Sequence, residues 1–224
     1  MRVNSLLTLL LAILLACKNE PEQEKIDMTA LQEELDSIYH LDQKYRTQMD
    51  SVFRAFGKDS EEMKSLLKSQ NEIDSSNSLR ILEIIDKLGE YPGASLFKSP
   101  GNQAAFFVIQ HSHDSVKEKY YKMIVNAGIS GELDKRSVAM FQDRVMLSRG
   151  EPQVYGTQII IDRKTDSTGL SYDSTYLWPL KDTTNINKKR LLVGLGPLEE
   201  YLKQWGIEYL HPVDEEEDSV EYSK

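Results

Sequence analysis

The sequence contains a single cysteine, Cys17, and only four histidines among its 224 residues. One thiol cannot form a disulfide within the chain. The few histidines show no spacing typical of a zinc site, and no stretch matches a common cofactor-binding motif. The sequence therefore predicts no disulfide, no metal and no cofactor.

An excess of positive charge is also missing. The chain has 27 Lys and Arg against 36 Asp and Glu, a net charge of −9. This balance argues against nucleic acid as a partner and against adhesion to anionic lipid. Residues 214–218 (DEEED) carry part of the negative charge. We interpret residues 213–224 as a disordered acidic tail, and favour a solubilising role over cation binding.

Long hydrophobic runs are absent except at the N-terminus. Residues 6–15 are apolar apart from Thr8, which is short for a transmembrane helix. Arg2 precedes this run, and residues 14–17 (LLAC) end it. This end resembles the lipobox of bacterial lipoproteins. The alternatives are an ordinary signal peptide that ends in cysteine, or a short membrane anchor.

The lipobox resemblance implies that residues 1–16 are a signal peptide and that Cys17 becomes lipidated, with palmitate-type acyl chains. Each buried methylene of such a chain contributes about 0.8 kcal/mol to membrane binding, so several chains would hold the protein at a membrane. Residues 17–27 are mostly polar and predict a flexible tether. Lys18 stands where enterobacterial lipoproteins of the inner membrane carry Asp, which favours the outer membrane, facing either the periplasm or the surface.

Residues 28–212 predict a single domain that is mainly α, with a small antiparallel β-hairpin (α+β). Its first part is a long helical hairpin over residues 29–56 and 59–88, in which apolar residues recur at steps of three and four. Thr29 with Gln32 and Asp59 with Glu62 fit capping pairs. Further helices are expected to pack on this hairpin.

Polar residues interrupt both apolar stripes of the hairpin at the same level. Asp42 and Arg46 lie on the first helix, opposite Gln70, Asp74 and Asn77 on the second, if the helices are antiparallel. One interpretation is a solvated part of a hairpin that extends beyond the body. The other is a buried polar layer, or a pocket wall, whose groups need internal or ligand partners.

The middle of the chain predicts a buried helix that leads to His111. Residues 104–109 (AAFFVI) are apolar on all sides. His111 shares the face of Ala104 and Val108 and points inward, next to Gln110, whereas His113 points the opposite way. Two residues of a helix that are two positions apart cannot ligate one metal.

Two helices (residues 115–127 and 135–148), a β-strand (153–161) and a returning strand (175–180) are expected to follow. The first strand begins with polar residues, and Gly156 within it fits a β-bulge or a close approach to the backbone. Residues 185–190 predict a short helix. Pro197 fits the first position of a last helix, which is expected to dock on the body.

Several stretches together are similar to an uncharacterised bacterial family, met especially in Bacteroidetes and often on lipidated chains. They are the DQxxR, QH, DR and GxxQxYGTQ motifs at residues 42–46, 110–111, 143–144 and 150–158, with Asn77, Arg190 and residues 194–195. The resemblance covers most of the chain after Leu35. It implies candidate positions but no reaction, because the family has no established activity.

Three functions remain open. The first, which we favour, is an envelope protein whose cleft binds a polar ligand, such as a peptide or sugar, or a protein partner. The candidate ligand-binding residues are Asp42, Arg46, Gln110, His111, Asp143, Arg144, Gln153, Tyr155, Thr157, Gln158 and Arg190. The second is a hydrolase with His111 as base, Asp42 or Asp143 orienting it and Arg144 or the glutamines stabilising an anion. The third is a purely structural hydrogen-bond network.

Overall fold

The computed structural model describes residues 26–209. This part of the chain is mainly helical, with one small sheet, so the predicted α+β class is confirmed. The helices are α1 (Met28–Lys44), α2 (Arg46–Phe56), α3 (Glu61–Leu88), α4 (Ala104–His111), α5 (Asp114–Ser130), α6 (Lys135–Ser148), α7 (Ile186–Leu192) and α8 (Leu198–Lys203). The strands are β1 (Ile159–Thr165) and β2 (Ser171–Leu177), and a short 3-10 helix, Gly101–Gln103, leads into α4. The predicted signal peptide, Cys17 and the acidic tail lie outside the described residues.

The predicted helical hairpin is present, but its first helix is interrupted at Tyr45. The carbonyl of Asp42 would accept the amide of Arg46 in a continuous α-helix. Instead it accepts the Arg46 side chain (Nη1, 2.6 Å) and Nε2 of Gln70 (3.2 Å). A side chain that donates to a backbone carbonyl in place of the helical amide is a recognised cause of kinks and breaks in helices. The prediction of one continuous helix was therefore wrong at this point.

The predicted capping pairs were also wrong. Asp27 caps α1, because its Oδ1 accepts the amides of Thr29 (3.0 Å) and Ala30 (3.1 Å). Gln32 instead bonds the backbone of Lys98 through both ends of its carboxamide. Ser60 caps α3 through its hydroxyl (3.1 Å to the Met63 amide). Several acidic and hydroxyl residues lie near the start of α1 and of α3, and residue spacing alone selected the wrong N-cap residue in each case.

The main core lies between α1, α3, α4, α5 and α6. The predicted buried helix α4 occupies its centre: Ala104, Ala105 and Ile109 are fully buried. Both helices of the hairpin pack against α4, as predicted. Helix α2 adds nothing to this core, because none of its residues is buried and Phe56 is 58% exposed.

The predicted β-hairpin exists with shifted strands. β1 and β2 are antiparallel, with Ile159 opposite Leu177 and Thr165 opposite Ser171. Residues 162–165 and 171–174, which the sequence placed between the two predicted strands, are therefore strand. The turn is confined to residues 166–170, where Asp166 accepts the amides of Thr168 and Leu170. The hairpin is largely exposed, so its polar residues do not oppose strand pairing.

The first half of the predicted strand was wrong. Gln153 forms a single isolated bridge with Leu180, and residues 154–158 form an irregular loop. Gly156 has a φ of +71°, and a Cβ there would lie 2.9 Å from Leu198. Of its two interpretations, the close approach is the one observed. A second, smaller core follows, in which Ile186, Leu198 and Leu202 are buried.

The last two helices were predicted approximately. Helix α7 begins one residue later than expected and ends two residues later. Pro197 precedes α8 as its N-cap, instead of occupying the first helical position. Leu198 and Leu202 are fully buried, so α8 docks on the body as predicted.

Candidate functional site

A buried polar layer crosses the helical hairpin, as one of the two interpretations of the sequence predicted. Asp42, Gln70 and Asn77 are 1%, 2% and 4% exposed. The Arg46 guanidinium binds both carboxylate oxygens of Asp74 (2.9 and 2.6 Å) and lies 3.3 Å from Oδ1 of Asp42. A guanidinium that bridges two carboxylates in this way is satisfied within the layer.

Helix α4 adds His111 to this layer. The Nδ1 atom of His111 lies 3.0 and 3.1 Å from the two oxygens of Asp42. Gln43 donates a further hydrogen bond (2.7 Å) to the same carboxylate. Phe107, one turn earlier on α4, packs beside the imidazole, with 6.1 Å between the ring centroids. The ring is therefore held on one side by apolar packing and at Nδ1 by a buried acid.

The opposite side of His111 faces a cleft of about 380 Å³. The cleft lies between the middle of α3 and the α4–α5 junction. Its lining residues are Asn71, Asp74, Ser75, Ser78, His111, Ser112 and His113. Within residues 26–209 the Nε2 atom of His111 forms no hydrogen bond. It is not one of the buried polar atoms that lack a partner, so it is accessible to solvent. The sequence analysis did not identify Asn71, Ser75 and Ser78 as cleft residues. They belong to no recognisable motif and lie on the solvent side of α3.

Arg144, on α6, is a cation without a partner. No ion pair or hydrogen bond reaches its guanidinium from residues 26–209, and its Nε is buried and unbonded. Burial lowers the pKa of Arg144, and the positive charge of Arg46 lowers it further.

Two buried carboxamides also leave an acceptor unpaired. The Oε1 atoms of Gln70 and Gln110 are buried without a hydrogen-bond partner within the described chain. Gln70 belongs to the polar layer, and Gln110 directly precedes His111 and is 5% exposed. A buried acceptor without a partner costs about 1–3 kcal/mol.

The other acidic candidate, Asp143, is engaged elsewhere. It is fully buried on α6, and its carboxylate accepts the amides of Val154 (2.7 Å), Tyr155 (3.0 Å) and Thr157 (3.0 Å) and the Thr157 hydroxyl (2.9 Å). Burial raises the pKa of Asp143, and these hydrogen bonds oppose that rise. Asp143 thus holds the loop of residues 153–158 on α6 and does not hydrogen-bond His111.

The polar residues of that loop complete its internal bonding. Gln153 is fully buried, accepts the amide of Gln158 (2.8 Å) and donates to the carbonyls of Gln158 (3.1 Å) and Trp178 (2.6 Å). Gln158 donates to the Thr157 hydroxyl (3.0 Å). The polar residues at the start of the predicted strand therefore form a loop. Their side chains bond the backbone groups that a neighbouring strand would otherwise bond.

Arg190, on α7, closes this second network. It is 2% exposed and donates to the carbonyls of Gly196 (2.6 Å), Tyr155 (2.7 Å) and Gly156 (3.2 Å). Burial lowers its pKa. The phenol of Tyr201, which the sequence did not single out, donates to the Thr157 carbonyl (2.8 Å). Burial raises the pKa of Tyr201, and the charges of Arg190 and Arg144 oppose that rise.

The predicted site residues thus form two groups instead of one. Asp42, Arg46 and His111 belong to the polar layer beside the cleft. Asp143, Gln153, Tyr155, Thr157, Gln158 and Arg190 belong to the loop network. In residues 26–209 no three His, Cys, Asp or Glu side chains are arranged to hold a metal ion.

The chain belongs to the family of unknown function DUF6624, which it matches over residues 29–211. This range includes both networks and the hairpin. No curated protein and no solved structure matches the chain. Across residues 26–209, no helix has the length and apolar character that crossing a membrane requires.

Proposed function

We propose that this protein is a lipoprotein of the bacterial cell envelope whose body binds a small anionic ligand at Arg144. The observation that carries the binding proposal is the guanidinium of Arg144, which is largely buried and has no partner within residues 26–209. An unsatisfied buried donor costs about 1–3 kcal/mol, so such a donor in a folded protein calls for a partner, and a bound ion or ligand would supply one.

The charges around Arg144 favour an anion over a neutral ligand. Arg46 is matched by two acids, Asp42 and Asp74, whereas Arg144 has no acid within ion-pair distance in the described chain. A carboxylate or phosphate would supply the missing charge, and the planar guanidinium suits both groups.

The envelope location rests on the N-terminal sequence. The apolar run of residues 6–15, Cys17 at its end and the polar residues that follow support a lipidated N-terminus and attachment to the outer membrane. We further propose that the DQxxR, QH, DR and GxxQxYGTQ stretches are the shared pattern of DUF6624 proteins, most frequent in Bacteroidetes. An alignment of family members tests that pattern.

The binding proposal is tested by comparing wild type with Arg144→Met. Thermal denaturation and calorimetric titration use sodium phosphate and sodium succinate, with sodium chloride at matched ionic strength as reference. At a hundredfold excess over Kd, a bound anion stabilises wild type by about 2.7 kcal/mol, or roughly 5–10 °C in Tm. Arg144→Met should lose this saturable response. Without anion it should be as stable as wild type or more stable, because an unpaired buried charge has been removed.

Arg149→Met is the matched control. Arg149 directly follows the same helix but is exposed and pairs with Glu118, so its loss should leave anion binding unchanged. Absence of a saturable response to either anion in wild type would contradict the proposal. An equal response in Arg144→Met would contradict the role of Arg144.

A further inference from the structure

The bond between Asp42 and His111 determines where the imidazole carries its proton. A carboxylate only accepts hydrogen bonds, so the Nδ1 atom, 3.0 Å from Asp42, must be the protonated one. In the neutral ring the lone pair is then on Nε2, which faces the cleft and has no partner within the described chain. This is the arrangement in which a histidine can take a proton from a molecule in the cleft.

Asp42 is fixed in this role by its surroundings. Its side chain is 1% exposed and is held by Gln43 and Arg46 in addition to His111. The carboxylate cannot turn to solvent without leaving these groups unpaired. Asp42 is therefore a positioning residue, which holds the ring orientation and the tautomer of His111.

Among residues 26–209 no hydroxyl or thiol hydrogen-bonds His111, so a hydrolytic reaction at His111 would use water as its nucleophile. Ser112 donates its hydroxyl to the Val108 carbonyl (2.7 Å), and Ser78 contacts that hydroxyl (3.2 Å). Neither serine hydrogen-bonds His111, and residues 26–209 contain no cysteine. A nucleophile on the protein would need to lie within hydrogen-bond reach of the base.

We propose that His111 is a general base for the hydrolysis of a carboxylic ester bound in the cleft that His111 lines. His111 Nε2 takes a proton as the water oxygen bonds to the acyl carbon. The carbon–oxygen bond to the alcohol then breaks, and the leaving oxygen receives the proton from Nε2. The products are a carboxylic acid and an alcohol, and His111 returns to its neutral form.

The test measures the hydrolysis of 4-nitrophenyl acetate, which wild type should accelerate over buffer alone. His111→Gln should lower kcat by about 10²- to 10⁴-fold, the usual contribution of a general base, with little change in KM. His40→Gln, at an exposed position of α1, should behave as wild type.

A second measurement does not depend on turnover. Nitrogen-15 NMR of the histidine side chains should show His111 protonated on Nδ1 and unprotonated on Nε2. Asp42→Asn should remove this preference and lower kcat while the helical circular dichroism is retained. An Nε2-protonated neutral ring in wild type, hydrolysis no faster than in buffer, or an unchanged kcat in His111→Gln would each overturn the proposal. If phosphate or succinate still binds through Arg144, the binding function stands and only the catalytic one falls.

Discussion

Two buried arginines show how hydrogen-bond partners decide what a residue can do. Arg144 and Arg190 are both guanidinia whose pKa is lowered by burial. Arg190 donates to three carbonyl oxygens of residues 155, 156 and 196, while Arg144 has no bond within residues 26–209. The sequence proposed both as candidates and could not separate them, because the partners of Arg190 are backbone atoms that only the fold brings to it.

Buried tyrosines make the protein sensitive to alkaline pH. Burial raises the pKa of Tyr91, which is 7% exposed, above the ordinary value near 10. The folded state therefore keeps this proton at a pH where the unfolded chain has lost it. Stability is fully present below about pH 10 and falls as the pH rises above it. Tyr155 and Tyr201 shift in the same direction, also by burial.

We predict that Tyr91→Phe reduces this alkaline loss of stability. The variant keeps the aromatic packing and gives up only a long hydrogen bond to the Asn102 carbonyl (3.4 Å). Urea denaturation from pH 8 to pH 11 should give a shallower decline for the variant than for wild type. Tyr172→Phe, where the side chain is half exposed, is the control and should follow wild type. Parallel curves for Tyr91→Phe and wild type would show that Tyr91 does not contribute.

At the scale of elements, apolar periodicity predicted the helices and failed where side chains replace backbone bonding. The boundaries of α6 were predicted correctly, because its apolar residues and the glycine after it are local signals. The break at Tyr45 and the loop of residues 153–158 depend on contacts with Gln70 and Asp143, which lie far away in the sequence or in another element. No local pattern contains that information.

We predict that Asp143→Asn releases the loop of residues 153–158 from α6. Asparagine places an NH₂ group where one carboxylate oxygen accepts hydrogen bonds, so at least one of the amides of Val154, Tyr155 and Thr157 loses its partner. A buried donor without a partner costs about 1–3 kcal/mol. Hydrogen exchange should accelerate at these amides, while those of α3 stay protected, and urea denaturation should show the loss in stability.

The control for this change is Asp134→Asn, at the exposed start of the same helix, where the side chain forms no capping hydrogen bond. It should alter neither the exchange rates nor the stability by more than a few tenths of a kcal/mol. Unchanged protection of residues 154–157 in Asp143→Asn would mean that Arg190 and Tyr201 suffice to hold the loop.

At the scale of the whole molecule, the two networks join parts of the chain that are far apart in sequence. The polar layer ties the N-terminal hairpin to α4, and the loop network ties α6 to α7 and α8. The sequence predicted the mainly helical class, the hairpin and the level of polar residues at Asp42, since each follows from residue spacing; burial of that level was one of its two interpretations. The hydrogen bonds divide the candidate residues between two networks, and residue spacing could not show this because the partners of Asp143 and Arg190 are largely backbone atoms.

The placement of this body at a membrane depends on Cys17, outside the described residues. We predict that wild type incorporates an alkyne analogue of palmitate and sediments with membranes, and that Cys17→Ala incorporates none. Because an uncleaved signal peptide could itself retain the Cys17→Ala chain, a second variant exchanges residues 1–17 for an ordinary cleavable signal peptide. That chain should be soluble in the periplasm, because acyl chains supply the membrane affinity and the polar residues after Cys17 do not. Label in Cys17→Ala, or sedimentation of the exchanged chain with membranes, would contradict lipid anchoring.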